Sequence, residues 1–464
     1  MAPAIRVCLP WLASMAVACA GGGARRDAGV DPAHCTVVAR ADLVDPAPSE
    51  TAAIGRIGAF TAVREARATV VLWTLSPPGP SVELFAARVH DDGRIADRRV
   101  VASLGPGAGA LRAVVLGDRV LVATIESVRE AAPTQSGRPA PAPGAPRARV
   151  VAPSTVSRRR IVLRLLGRDL RALGEPRGVA TEEDDSDGIT LAASPDGRTA
   201  VVAWDDATND RGGALRLAMV WPTTSSAPRP EQPAVRVGAI TTVRASEPRA
   251  VVLTPSAVVD GTRGFAIAYR EEVPMLDGPE DPVETVRSVT NVVWVGWRGE
   301  LGASVRELLV SSESEAGALG PPSVLALGDG RLVVAVDDLQ PREDGDPLRA
   351  VVARVVSQEG ASGDEQVLSG SAAAGAPVLV RTARGPEVHW RNDEGVVERA
   401  RVRTAPNRAS QAAEPRAVAE PALSGAAPSV AWLDRVVALD EGDDESPDRA
   451  GSLTWLHARC PAPP

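Results

Sequence analysis

The chain has 464 residues, of which 44% are hydrophobic and 24% are charged. These values lie near the averages of globular proteins, so neither a wholly disordered chain nor a polytopic membrane protein fits. The formal net charge of -8 argues against a nucleic-acid-binding protein, which needs a basic surface to neutralise phosphates. Aromatic residues make up only 3% and Lys is absent, so Val, Ala and Leu have to build the interior.

Residues 1–18 have the features of an export signal, because a single positive charge precedes an apolar stretch that is too short to span a bilayer. The stretch ends in Ala-Val-Ala and is followed by Cys19. This sequence resembles the lipobox of bacterial lipoproteins, in which the Cys becomes the lipidated first residue. Ala16 departs from that pattern, which usually has Leu there. Ordinary signal-peptidase cleavage after Ala18 therefore stays open as the alternative.

The four cysteines bear on this choice. One lies inside the signal, so a lipidated Cys19 leaves Cys35 and Cys460 as an even pair, whereas an unmodified Cys19 leaves an exported protein with an odd thiol. The resemblance thus implies a lipid anchor to the cell envelope, with the outer membrane as the expected location. Residues 19–34 are expected to form a flexible Gly- and Ala-rich tether.

The segment 35–464 contains an internal repeat. Seven short apolar runs recur, most of them ending in a large side chain: Val70–Trp73, Val120–Thr124, Val201–Trp204, Phe265–Tyr269, Val333–Val336, Glu387–Trp390 and Val436–Leu439. Each follows another apolar run and a tight turn, and two further runs come after it. An Asp-Gly pair between β-type runs, as at Asp196-Gly197, is a strong hairpin signal. Four antiparallel strands in roughly 50 residues is typical of a β-propeller blade.

We therefore predict an all-β protein, a seven-bladed β-propeller of four-stranded antiparallel blades. The hairpin from Ser194 to Gly197, leading to Trp204, resembles the Ser-Pro-Asp-Gly hairpins of TolB-like and WD-type propeller repeats. The resemblance covers one unit strongly and the others only by pattern, so it implies a fold and no activity. A series of separate β-sandwiches is the structural alternative, with units of about 100 residues.

The ends of the predicted propeller are expected to meet. The last unit has only three runs, and the run that starts after Cys35 has no unit before it. This N-terminal run is the expected outer strand of the last blade, and a disulfide between Cys35 and Cys460 is expected to join the two neighbours. Such a bridge needs the oxidising compartment that an export signal provides.

Residues 126–158 form a long insertion in the second unit, rich in Pro, Ala and Arg. This composition cannot build a core, so we expect a disordered segment.

Acidic residues concentrate in the loops after the second run of each unit. The segments 205–213, 270–290, 337–348, 391–395 and 440–451 hold 22 Asp or Glu and 6 Arg in 59 residues. Antiparallel strands bring these loops to one face, which we expect to bind a protein or glycan partner. The candidate residues of this acidic face are Asp205, Asp206, Glu271, Glu272, Asp337, Asp338, Asp393, Asp440, Glu441, Asp443 and Asp444. Acidic loops that only aid solubility are the alternative.

Calcium is a weak expectation at this face, because hard cations take several carboxylate oxygens but no segment completes a twelve-residue calcium loop. No other cofactor is indicated.

Catalytic residues are not evident from the sequence. The four His and single Tyr do not fall in known nucleophile or metal motifs, and Tyr269 occupies a repeat position filled elsewhere by Trp. We therefore expect a monomeric, non-catalytic binding or scaffolding lipoprotein with no nucleic-acid partner. The alternative is a propeller hydrolase or lyase acting on envelope or extracellular glycans, which should gather polar groups at the mouth of the central channel.

Overall fold

In the computed structural model of this chain, every regular element among the described residues is a strand. The structure describes residues 36–44, 56–76, 81–105, 108–131, 155–179, 188–206, 213–223, 231–247, 249–261, 263–276, 284–342, 345–361, 363–369, 372–373, 376–382, 385–393, 397–404, 416–417, 427–432, 435–440 and 452–459. Within these ranges no helix is long and apolar enough to cross a membrane.

The described strands form seven antiparallel sheets, numbered here in chain order. Sheet 1 contains β2 (Arg56–Arg64), β3 (Ala68–Ser76), β4 (Val82–His90) and β5 (Ile95–Leu104). Sheet 2 contains β6 (Leu111–Leu116), β7 (Arg119–Ala131), β8 (Thr155–Leu166) and β9 (Arg177–Gly178). Sheet 3 contains β10 (Ile189–Ala193), β11 (Ala200–Asp206), β12 (Ala214–Pro222), β13 (Val235–Val237) and β14 (Thr241–Arg244).

The remaining sheets repeat this order. Sheet 4 contains β15 (Val251–Asp260), β16 (Gly264–Leu276), β17 (Glu284–Gly296) and β18 (Leu301–Val310). Sheet 5 contains β19 (Ser323–Ala326), β20 (Arg331–Arg342), β21 (Gly345–Ser357), β22 (Gly360–Ala361) and β23 (Gln366–Val367). Sheet 6 contains β24 (Val378–Thr382), β25 (Gly385–Arg391), β26 (Val397–Arg401) and β27 (Arg416–Ala417). Sheet 7 contains β28 (Ala427–Trp432), β29 (Arg435–Asp440), β30 (Ser452–Arg459) and β1 (Thr36–Val44).

The all-β class and the succession of antiparallel units predicted from the sequence are confirmed. Five of the seven described sheets have the predicted four strands, and sheets 3 and 5 have five. Each of the seven apolar runs lies in the second strand of its sheet. The turns before these strands depend on glycine where the backbone needs a positive φ, as at Gly197 (φ 64°) and Gly330 (φ 83°).

The N-terminal strand β1 pairs with the last strand of the chain. Thr36 lies opposite Arg459, and the antiparallel ladder continues to Val44 opposite Leu453. β1 is therefore the outer strand of sheet 7, at the position that the sequence predicts for it. Cys35 and Cys460, which flank this pairing in sequence, lie outside the described residues.

The first strands of successive sheets lie side by side. β6 contacts β2 and β10, β10 contacts β15, and the series continues through β19 and β24 to β28, which also contacts β2. Some backbone N–H groups on the free edges of these first strands donate hydrogen bonds to hydroxyl groups of the preceding sheet. Ala257 N donates to Thr190 Oγ1 at 2.9 Å, and Leu379 N donates to Ser323 Oγ at 3.0 Å. These bonds satisfy backbone donors that an edge strand would otherwise leave unpaired.

The cores lie between neighbouring sheets. One cluster packs Trp73 of sheet 1 with Trp455 of sheet 7, and another packs Ile125 of sheet 2 with Trp204 of sheet 3. The large side chains that end the apolar runs, Trp73, Trp204, Tyr269 and Trp390, are at most 2% exposed. Because the strands are buried on both faces, they are nearly continuous runs of Val, Ala and Leu.

The structure corrects the prediction of disorder at both ends of the segment 126–158. Residues up to Ala131 continue β7, and residues from Thr155 onwards belong to β8, so the two strands form a long hairpin. Glu126 lies opposite Arg160 and forms an ion pair with Arg164 at 2.5 Å, which favours pairing of the two strands despite the polar composition. Residues 132–154 lie outside the described part of the chain.

Candidate functional site

In sheets 3, 4 and 5 a charged residue follows the apolar run of the second strand, at the side of the sheet where the connection enters. We call this side the upper face. Asp205 in sheet 3, Arg270 in sheet 4 and Asp337 in sheet 5 each follow the last large or branched residue of an apolar run. Because strands alternate in direction, these three residues lie at the same end of neighbouring sheets. Three successive sheets thus place charges of both signs around one end of their first strands.

Asp205 is fully buried beneath the connections to sheets 3 and 4. Its Oδ1 accepts a hydrogen bond from Gly188 N at 2.8 Å, and its Oδ2 accepts one from Thr254 N at 3.1 Å. Burial raises the pKa of the Asp205 carboxyl to about 6, which outweighs the opposite effect of these two bonds. A carboxyl group with this pKa exchanges protons near neutral pH.

Glu271, also fully buried, holds the segment between sheets 3 and 4. Its Oε1 accepts from the backbone N–H of Ser246 at 2.5 Å and from the Ser246 hydroxyl, and its Oε2 accepts from Asn291 Nδ2 at 2.8 Å. Asn291 Oδ1 in turn accepts from Glu307 N. The carboxylate is satisfied by three donors, as buried charges require.

Four charged side chains meet at the junction of sheets 4 and 5: Arg270, Glu272, Asp337 and Arg349, named here the sheet 4–5 cluster. Three of them form hydrogen bonds with the backbone of the connection that leads into sheet 5. Glu272 Oε1 accepts from Gly317 N at 2.8 Å, and Arg349 Nη2 donates to Gly317 O at 2.9 Å. Arg270 Nη1 donates to Leu319 O at 2.5 Å.

The sheet 4–5 cluster contains two ion pairs. Arg349 Nη1 lies 2.8 Å from Asp337 Oδ2, and Arg270 Nη2 lies 3.4 Å from Glu272 Oε1. Desolvation lowers the pKa of Arg270, against the influence of Glu272, Asp337 and Asp205. Arg349 is the most accessible member, with 36% of its side chain exposed, against 14% for Arg270.

Two polar atoms of the sheet 4–5 cluster have no hydrogen-bond partner among the described residues: Arg270 Nε and Asp337 Oδ1, both buried. Asp337 Oδ1 lies against the backbone of Gly320, where an added Cβ would approach it to 1.8 Å. A buried polar atom without a partner costs about 1–3 kcal/mol. Partners for such atoms are expected from ordered water or a bound ligand; buried atoms of the same kind occur in other sheets, as at Asp260 and Trp390.

Asp206 and Asp338 are buried and paired within their own neighbourhoods. Asp206 Oδ2 accepts from Arg216 Nη2 at 2.7 Å. Asp338 accepts from the hydroxyls of Ser311 and Ser312, and desolvation raises its pKa. Neither carboxylate presents its charge freely to solvent.

The other residues of the predicted acidic face are less informative. Asp393 lies exposed in the turn after β25, and Asp440 ends β29. Glu441, Asp443, Asp444 and the predicted lipidation site Cys19 lie outside the described residues. The structure thus places six of the predicted acids near the junctions of sheets 3 to 5, five of them buried and Glu272 half-buried, as hydrogen-bond acceptors rather than as exposed loop charges.

The described residues contain no group of three or more His, Cys, Asp or Glu arranged to hold a metal ion. Arg270 and Arg349, the basic partners of the sheet 4–5 cluster, were not singled out from the sequence. For Arg270 the available signal was a charged residue directly after an apolar run, a feature that five of the seven runs share regardless of sign. Arg349 lies inside β21 and had no such signal.

No protein-family model and no curated protein sequence matches the chain. Among solved structures, the polysaccharide lyase Uly1 is similar at a TM-score of 0.50 and 8% identity, over 91% of this chain and 99% of the lyase. An alpha-L-arabinanase of Penicillium chrysogenum is similar at 0.41 and 10%, over 91% and 98%. The beta-propeller domain of the Trilobed protease from Pyrococcus furiosus is similar at 0.42 and 10%, over 87% and 95%.

The similarity to the polysaccharide lyase, together with the succession of antiparallel sheets, supports a β-propeller fold. The expectation of a protein without catalytic activity is corrected on one finding: the polysaccharide lyase, which shares the fold over 99% of its own length, is an enzyme. At 8–10% identity a shared structure establishes the fold alone.

Proposed function

We propose that this protein is a seven-bladed β-propeller enzyme that cleaves a glycan, with its active site on the upper face. The sheet 4–5 cluster carries this proposal. Its charges of both signs lie where the connections meet the first strands, and two of its buried atoms have no hydrogen-bond partner among the residues that the structure describes. Clusters of buried ionisable groups with shifted pKa values are typical of catalytic sites, and desolvation lowers the pKa of Arg270 in this cluster.

Seven blades in a closed ring are part of this proposal. The contacts of β28 with β2, and the core that joins Trp455 to Trp73, support a ring in which sheet 7 lies next to sheet 1. The pairing of β1 with β30 supports closure by the N-terminal strand. A disulfide between Cys35 and Cys460 would join strands whose ends, Thr36 and Arg459, lie opposite each other.

Cleavage of a glycosidic linkage needs a proton donor or acceptor and a stabiliser of developing negative charge. Carboxyl groups in a buried, charged environment can have the perturbed pKa values that such proton transfers need. Arg349, the accessible cation, could contact an acidic sugar or a developing oxyanion, and Asp337 fixes its guanidinium through the 2.8 Å ion pair. A long hairpin would flank a polymeric substrate on one side. β7 continues from Thr124 to Ala131 beyond its pairing with β6, an extension with a length of about 20 Å at ~3.3 Å per residue.

The protein is further proposed to act at the cell envelope, bound through a lipid on Cys19 that follows the lipobox-like sequence. Extended polysaccharides are accessible to an enzyme held in this way. The tether of residues 19–34 would let the propeller reach a polymer from the membrane surface.

The direct test is an activity screen with the purified full-length chain in detergent. Polysaccharides with and without uronic acids are incubated with the protein, and new reducing ends and the ultraviolet absorbance of unsaturated products are measured. A lyase gives both signals, because elimination leaves a carbon–carbon double bond, and a hydrolase gives reducing ends alone.

Arg349→Gln is expected to lower the rate by at least roughly 100-fold, by the loss of one charge-stabilising group. Arg287→Gln is the matched control, because this arginine pairs with Glu307 on the surface, where 40% of its side chain is exposed. Absence of any cleavage across the panel by folded protein, or equal rates for the two variants, would refute the proposal.

A further inference from the structure

A hydroxyl group recurs at one position of the first strands, near the upper face. In four sheets the residue opposite the next-to-last position of the apolar run is Ser or Thr, namely Thr61, Thr190, Ser256 and Ser323. Two of these hydroxyls accept a backbone N–H of the next sheet, Thr190 from Ala257 and Ser323 from Leu379. Each donor directly follows the equivalent position of its own sheet. This position therefore links neighbouring first strands.

In sheet 2 the equivalent residue is Arg112. A guanidinium carries donors and no acceptor, so Arg112 cannot accept the N–H of Leu191, which follows Thr190 in sheet 3. Gly188 and Ser194 pair with β11 through their backbone groups, and the two-residue alternation of an antiparallel ladder then directs the N–H of Leu191 to the free edge of β10. The repeat thus brings donors together where other sheets have an acceptor oxygen.

Arg112 has no acidic partner among the described residues. Its Nη1 donates to the carbonyl oxygen of the adjacent Leu111 at 2.9 Å. Leu111 packs in the core between sheets 1 and 2, so the alternation of side chains turns Arg112 towards sheet 3. Solvent reaches Arg112, and surrounding protein still desolvates the guanidinium enough to lower its pKa. A cation in such surroundings is stabilised by an anion.

We propose that Arg112 and the N–H of Leu191 bind an oxyanion at the upper face between sheets 2 and 3, and that this oxyanion is the carboxylate or sulfate group of an acidic sugar. An oxygen of the anion takes the place that a hydroxyl occupies in sheets 3 and 5. Arginine binds planar carboxylates and sulfates through two parallel hydrogen bonds. The assignment of the anion to a glycan rests on the proposed function, whose substrate class becomes an acidic polysaccharide.

Isothermal titration calorimetry on the full-length protein in detergent tests this site. The probes are D-glucuronate, glucose 6-sulfate and uncharged glucose, at constant ionic strength. The wild type is expected to bind at least one of the two acids and to bind glucose at least roughly 10-fold more weakly, because glucose lacks the charge-assisted hydrogen bonds. The two acids distinguish a carboxylate from a sulfate ester as the recognised group.

Arg112→Thr introduces the hydroxyl that the repeat has in other sheets. This variant should bind the acid at least roughly 10-fold more weakly, and its midpoint of urea unfolding should not fall below that of the wild type. Arg168→Thr is the matched control, because it removes the same charge from sheet 2 at a side chain that is 81% exposed and paired with Asp118. It should bind the acid as the wild type does.

Equal binding of acid by Arg112→Thr and the wild type would overturn the proposal, as would a wild type that binds neither acid or prefers neither to glucose. An Arg112→Thr variant that is less stable or does not fold would assign the guanidinium a structural role and overturn it as well. The titrations need no cleavage. Acid binding at Arg112 without cleavage of any polysaccharide retains the anion site and loses the proposed function, and cleavage without acid binding gives the opposite result.

Discussion

The Asp337 carboxylate lies in the space that a side chain at position 320 would fill. A Cβ built on Gly320 would lie 1.8 Å from Asp337 Oδ1 and 2.4 Å from its Cγ, well inside van der Waals contact. In Gly320→Ala the carboxylate therefore has to move, because the backbone of Gly320 is fixed by the bond from its N–H to Asp337 O at 2.7 Å. Moving the side chain breaks its ion pair with Arg349.

The expected cost combines two effects. Forcing an extra methyl group into a packed site typically costs about 1–3 kcal/mol. The displaced pair is only partly buried, with 36% of the Arg349 side chain exposed, so its loss adds about 1 kcal/mol or less. We expect Gly320→Ala to lower the free energy of unfolding by about 2–3 kcal/mol.

Urea unfolding measures this difference, with Gly345→Ala as the matched control. Gly345 begins β21 in the same sheet, and a Cβ there would meet nothing within 4 Å, so its substitution should change stability by less than about 0.5 kcal/mol. In an Asp337→Ala background, Gly320→Ala should cost little, because the colliding carboxylate is gone. Equal stabilities of the two alanine variants, or an undiminished cost in the double variant, would refute the reasoning.

Three further predictions concern other parts of the chain. The pKa of Asp205 is raised from 3.8 to about 6, so its proton stabilises the fold fully below pH 4, and this stability, about 3 kcal/mol, is lost as pH rises through 6. Asp205→Asn should remove this pH dependence of the free energy of unfolding. An unchanged pH profile in the variant would contradict the assignment. Cys19→Ala should release the protein from the membrane fraction and leave its precursor uncleaved, whereas normal processing and secretion would favour the simple signal peptide. A non-reducing peptide map should link Cys35 to Cys460, and free thiols at both positions would rule out the disulfide.

Local sequence signals predicted the strands well. The apolar runs ending at Trp73, Trp204 and Trp390 lie in buried second strands because alternating faces of these strands pack against two neighbouring sheets. The Asp196-Gly197 turn was predictable because Gly197 has the positive φ that such hairpins need. The pairing of β1 with β30 followed from counting the strands of each unit.

The environment of the acids could not be predicted in the same way. The sequence shows that Asp205 follows a strand, but its partner Thr254 is 49 residues away, and nothing near Asp205 indicates that a backbone N–H will point at it. The same holds for Glu272 and Gly317, 45 residues apart. An acid after a strand is equally consistent with an exposed loop and with a buried acceptor, and only the packing of neighbouring sheets decides between them.

The disorder predicted for residues 126–158 was wrong at the two ends of the segment, 126–131 and 155–158, for a related reason. Composition measures whether a segment can build its own core, whereas the ends of this segment are held by continuing a ladder that β7 and β8 have already begun. Once a hairpin is in register, each further pair adds to an existing structure.

The most direct test of the central claim, a glycan-cleaving site at the sheet 4–5 cluster, is a hydrogen-exchange footprint with the oligosaccharide products of whichever polysaccharide the protein cleaves. The account predicts added protection in the connection 317–320 and around Arg349, with no change in the outer strand β18. Protection confined to outer strands, with the segment 317–320 unaffected, would contradict it.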